Sequence, residues 1–146
     1  MRNKTGIGDA RLKSAHPADL QVVIPYRSPE LTRSALKYAA SFAADLNVRL
    51  RLIDVHVVPY GVQLDQPTVS PKHLVRRIRQ LAQESSVPIA AEVIFARDWE
   101  QGFRRALAPG TLVLMAIKRS WWPNKDKRLA ARLRKQGHQV IWVDSD

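Results

Sequence analysis

The sequence has no cysteine, which excludes disulfides and thiolate metal sites. Its six glycines leave a gap: none falls between Gly110 and Gly137. There is no Gly-x-Gly-x-x-Gly and no P-loop, so the usual glycine cradles for phosphate are missing. Long apolar runs are missing too. The longest, Leu112 to Ile117, has six residues, whereas a membrane span needs about 20. The first residues lack the apolar core of a secretory signal, so a cytoplasmic setting is expected. His16, His73 and His138 show no zinc or two-histidine spacing, and no metal site is expected. Acidic residues are few: 13 Asp+Glu against 24 Lys+Arg give a net charge of +11. That balance suits an acidic protein, a nucleic acid or an anionic surface as partner, and it also serves solubility.

What is present is an alternation of strands and helices. An apolar fraction of 45% over 146 residues fits one domain with a real core. Residues 1–19 read as a polar tail broken by Gly6, Gly8 and Pro17, and residues 20–146 as the domain. Residues 20–26 form a short β-branched strand. Ser28 then caps a helix with Pro29 in its first position and Glu30 near the positive dipole end. Leu31, Ala35, Leu36, Ala39, Phe42 and Leu46 recur at helical spacing, to about Asp45. The second strand runs from Val48 to Val58, with Leu50, Leu52 and Asp54 on one face and Ile53 and Val55 on the other. Ser70-Pro71 repeats the start signal for a second helix with a Leu74, Val75, Ile78, Leu81, Ala82 stripe. A third strand (88–95), a helix capped by Asp98, a fourth strand (111–117), a helix capped by Asn124 and stopped by Gly137, and a fifth strand (139–143) complete the chain. The pattern predicts a doubly wound, five-stranded parallel sheet with helices on both faces.

In such a sheet ligands bind at the carboxyl ends of the strands, where the strand order reverses. Arg27 follows the first strand; Lys118 and Arg119 follow the fourth. Three cations there would hold an anion by charge-assisted hydrogen bonds, with Trp121 or Trp122 stacking on a base. The alternative is a filled site with solvated cations.

Three stretches, in order, resemble the universal stress protein family. Val22-Val-Ile-Pro-Tyr-Arg-Ser-Pro-Glu-Leu-Thr-Arg-Ser-Ala-Leu is similar to its opening strand, turn and helix. Leu50-Arg-Leu-Ile-Asp-Val-His-Val-Val-Pro59 is similar to its second strand, and Leu112-Val-Leu-Met-Ala116 to its fourth. The resemblance covers residues 20–144 and implies sheet order 3-2-1-4-5, a homodimer along the last strand and a role in stress response, survival or signalling. The family's domains also occur attached to transport proteins; a non-enzymatic domain is expected here because no nucleophile–base arrangement is legible. ATP-binding members carry Asp after the first strand and a glycine series after the fourth. Here Arg27 stands at that Asp, Ala116 and Arg119 stand at the first two glycines, and the closing Gly-Ser or Gly-Thr has no counterpart between Ser120 and Gln136. Pro25 and Val55 match positions that touch the nucleotide through backbone or packing. No cofactor is therefore expected, and ATP is not expected to bind in the family's manner; a nucleotide held by the basic side chains is the rival.

Other features carry further expectations. From Lys118 to Lys135 eight cations (Lys118, Arg119, Lys125, Lys127, Arg128, Arg132, Arg134, Lys135) face one acid, Asp126. They make a basic helix face for nucleic acid or an acidic protein, or a solvated face aiding the helix's C-terminal half. Asp54 and His56 share a strand face and form an acid–imidazole pair with no nucleophile placed beside it, so polar fittings are expected rather than catalysis. Val140, Ile141, Trp142 and Val143 lie in the last strand, whose free edge would pair with a second copy unless the N-terminal tail shields it.

Overall fold

The computed structural model describes residues 20–145; the polar tail expected over residues 1–19 lies outside them. The elements follow in the order β1 (Gln21–Pro25), α1 (Pro29–Ala43), β2 (Arg49–Val57), α2 (Pro71–Gln83), β3 (Ile89–Ala96), α3 (Trp99–Ala106), β4 (Leu112–Lys118), α4 (Lys125–Lys135) and β5 (Gln139–Ser145). All strand pairs are parallel, as the sequence pattern predicts, and the sheet order is β3-β2-β1-β4-β5, as the resemblance implies. The β1–β2 ladder has five residue pairs, while the β1–β4 ladder has two, Val22–Leu112 and Val23–Val113. The second ladder stops short of the carboxyl ends, so the crevice of a doubly wound sheet opens there.

Period-two alternation buries both sheet faces. Val23, Ile53, Val55, Val113 and Met115 pack under α3 and α4 against Phe103, Leu129 and Leu133. Val22, Ile24, Leu50, Leu52 and Leu114 pack under α1 and α2 against Leu31, Ala35, Ile78 and Leu81. Each fully buried Leu or Ile contributes about 1.5–3 kcal/mol of transfer free energy.

Local signals set the helix ends. Ser28 Oγ accepts from the Leu31 N–H (3.2 Å), Asp98 Oδ1 from the Gln101 N–H (2.7 Å) and Asn124 Oδ1 from the Lys127 N–H (2.8 Å). Ser70 differs: α2 begins at Pro71 as expected, yet the Ser70 side chain makes no capping bond. Gly137 has φ +93°, and the N–H groups of Gly137 and His138 reach the carbonyls of Arg134 (3.0 Å) and Leu133 (3.1 Å). This Schellman closure needs the left-handed backbone that glycine adopts without strain. Gly102 has a different reason. A Cβ there would lie 2.4 Å from Val55 Cγ1, so the missing side chain is what seats α3 on β2.

Candidate functional site

At the carboxyl edge, side chains from several elements meet in two places, one on each side of β4. Between β1 and β4 stands Arg27. Its N–H donates to Thr32 Oγ1 (3.1 Å) in α1, which orients the turn after β1. Its Nε donates to Asp126 Oδ1 (2.5 Å) in the first turn of α4. Its guanidinium carbon lies 4.1 Å from the ring centroid of Trp99, the first residue of α3. One side chain thus joins the ends of β1, α3 and α4. The Arg27 and Asp126 side chains are only 12% and 18% exposed, so the pair is largely shielded from solvent. Asp126 also sits where the α4 dipole favours a carboxylate.

Between β4 and β5 the arrangement is open. Lys118 and Arg119 are exposed, and Trp121 and Trp122 are 89% and 67% exposed, with ring centroids 5.4 Å apart. The loop carrying them is fastened. The Lys127 ammonium donates to the carbonyls of Ser120 and Trp122, and the Trp122 N–H donates to Ser120 Oγ (3.1 Å). A hollow of about 440 Å³ lies between this loop and the end of β5, walled by Lys118, Arg119, Trp121, Lys127, Trp142 and Asp144. Arg134 packs 4.6 Å from the Trp142 centroid and donates to the Val140 carbonyl (2.9 Å).

The three cations that the sequence places at this edge therefore part company. Lys118 and Arg119 share the hollow; Arg27 does not line it and is held by Asp126 and Trp99. Of the basic residues on α4, Lys125, Arg128, Arg132, Arg134 and Lys135 are exposed. Lys127 turns inward to loop carbonyls, and Arg134 lies across β5. Glu30, at the start of α1, is held below the usual carboxylate range by its own backbone N–H and then by Ser28, with Arg33 and Lys118 adding to the effect.

Asp54 and His56 follow the same alternation, yet the carboxylate serves a different partner. Asp54 Oδ2 accepts from Arg77 Nη2 (2.9 Å), and His56 packs edge-to-face on Phe95 at 5.7 Å. Arg77 also covers the Tyr26 ring at 4.5 Å, and burial pushes the Tyr26 hydroxyl above its ordinary value, with Arg77 opposing. In β5, Val140 is buried, Ile141 and Trp142 are 45% and 42% exposed, and Val143 is half-buried. The outer edge of β5 pairs with no other strand among the described residues.

Sequence reasoning missed Trp99, Asp126 and Asp144 as members of these sites. The usable signal was Asp126 itself, the one acid among eight cations, which marks a partner for a shielded arginine.

Solved structures share this arrangement. A universal stress protein in complex with cAMP is 14% identical, with TM-score 0.55 over 87% of this chain and 98% of its own. The fold is that of the universal stress proteins. A protein of the universal stress protein family from Burkholderia pseudomallei is 18% identical (TM-score 0.57, 89% and 99% covered). A universal stress protein from Archaeoglobus fulgidus is 12% identical (TM-score 0.53, 84% and 92% covered). No protein-family model matches the sequence, and no curated protein does. In a doubly wound sheet of this order, the β1–β4 crevice is where a ligand is sought first. Among the described residues no helix is long and apolar enough to cross a membrane.

Proposed function

We propose that this chain is a regulatory or interaction module of the universal stress protein type, cytoplasmic and non-catalytic, whose β1–β4 crevice does not take ATP. The observation that carries this reading is the Arg27–Asp126–Trp99 contact across the crevice. A nucleotide entering there would have to separate a shielded ion pair and displace a stacked guanidinium. It would gain no glycine-lined backbone in return, because the chain after β4 holds no glycine before Gly137. The engagement of Asp54 by Arg77 supports a structural role for that acid rather than base catalysis with His56.

Thermal melting with Mg-ATP, AMP and cAMP tests this; cAMP is included because one similar structure holds it. The expected result is an unchanged midpoint with each. A ligand specific for the native state adds about 2.7 kcal/mol at one hundred times its dissociation constant. A rise that survives moderate salt, and that persists when Trp121 of the β4–β5 hollow is replaced by Ala, would therefore overturn the closed crevice.

Self-association is the second reading. The free edge of β5, with Ile141 and Trp142 exposed beside it, suits pairing with a second copy. Light scattering should report a dimer that Ile141→Lys disrupts; a monomer at all concentrations sinks this reading.

A further inference from the structure

We propose that the hollow between the β4–α4 loop and β5 binds a nucleotide of a single-stranded nucleic acid, with its base on Trp121 and its phosphates on Lys118 and Arg119. This site is separate from the β1–β4 crevice and does not depend on that crevice being closed.

Trp121 is 89% exposed, so its ring adds little to the core, yet its loop is built rather than loose. Lys127, the Ser120 hydroxyl and the Asn124 cap hold the backbone on both sides of the ring. A backbone held in advance spares part of the ordering cost when a base stacks on the ring it carries. Every base offers a flat face, so such a platform tolerates sequence.

The charges beside the ring suit a strand. Lys118 and Arg119 form no ion pair among the described residues. Lys125 and Arg128 continue the positive charge onto the exposed side of α4, where flanking phosphates would run. Two acids bear on these cations: Asp144 lines the hollow, and Glu30 at the start of α1 feels the charge of Lys118. Asp144 accepts hydrogen bonds and repels phosphate, so it faces a base edge rather than the backbone. Adenine and cytosine present an exocyclic amine to it; thymine presents one ring N–H between two carbonyls that a carboxylate repels. The same acid argues against a membrane. A bilayer cannot enter a concave site, and an anionic headgroup would meet Asp144.

The test is fluorescence anisotropy of labelled oligodeoxyadenylate, oligodeoxycytidylate and oligothymidylate of roughly ten nucleotides, a length within the range that single-strand-binding OB folds cover. Adenylate and cytidylate should bind more tightly than thymidylate. Trp121→Ala should weaken binding about tenfold while Trp121→Phe retains most of it. Asp144→Ala should remove the base preference, and Lys118→Ala should lower the slope of log affinity against log salt by about 0.7. All four substitutions are at exposed positions, and an unchanged melting midpoint confirms intact folding. Unaltered affinity in Trp121→Ala overturns the proposal. So does AMP competing as well as the strand, which would mark a free-nucleotide site. Trp121-dependent binding to phosphatidylserine vesicles without oligonucleotide binding would overturn it in favour of a membrane.

Discussion

Between β1 and β4 an arginine, a tryptophan and an aspartate satisfy one another; between β4 and β5 two tryptophans and two cations are left facing water. The two places are one strand apart on the same edge. They differ in what reaches them. Helices α3 and α4 begin beside the first and deliver Trp99 and Asp126 to Arg27. The second lies next to the last strand, where no further element follows to cover it among the described residues. A cation at a strand end becomes a strut when a carboxylate and a ring can close on it, and a free charge when they cannot.

The comparison can be broken by substitution. Arg27→Ala leaves Asp126 without its partner and strips the face of Trp99, so it should cost about 3 kcal/mol in urea denaturation, the scale for breaking a shielded pair. Arg27→Lys keeps the charge but loses the stacked plane, and should recover only part of it. A loss near zero for Arg27→Ala would mean that the crevice is not closed by this contact. Gly102→Leu pushes α3 off Val55 and moves Trp99 with it, at about 2 kcal/mol of overpacking, read by the same denaturation series. Lys127→Met frees two loop carbonyls and should cost about 1 kcal/mol. Its sharper sign is faster tryptophan motion in time-resolved anisotropy; an unchanged rotation would show that the loop is held by other means. Trp121→Ala should change stability by no more than about 0.5 kcal/mol, as surface replacements do. A larger loss would place that ring in the packing rather than at a surface for a partner.

Much of the fold could be read from the sequence because its signals are local. Ser28-Pro29, Asp98 and Asn124 are helix starts written within four residues, and Gly137 is a stop written in one. Alternation in β2 sorted Leu50 and Leu52 from Ile53 and Val55 onto the two faces where they pack. The parallel sheet came from the strand–helix alternation and its order from the family resemblance, neither of which needs side-chain detail. The candidate site was less legible because its contacts are not local. Ninety-nine positions separate Arg27 from Asp126, and no period or motif links them. The inward turn of Lys127 and the seat of Arg134 over Trp142 likewise depend on which way a helix rotates against the sheet, so a count of cations on α4 does not tell which side chains already have partners. Asp54 illustrates the same point: its face was correctly assigned, but its partner Arg77 comes from a helix packed over it.

The sheet order also has a consequence for how the chain is made. β1 is central, flanked by β2 on one side and β4 on the other. On the ribosome, where N-terminal segments emerge first, β2 and β3 arrive early, but the other flank of β1 stays bare until β4 is synthesised. Over that interval Val22, Val23 and Ile24, which are fully buried in the finished molecule, line an open strand edge. A nascent chain halted after β3 should therefore remain protease-sensitive and prone to bind chaperones, and the Arg27–Asp126 clasp closes only once α4 has emerged.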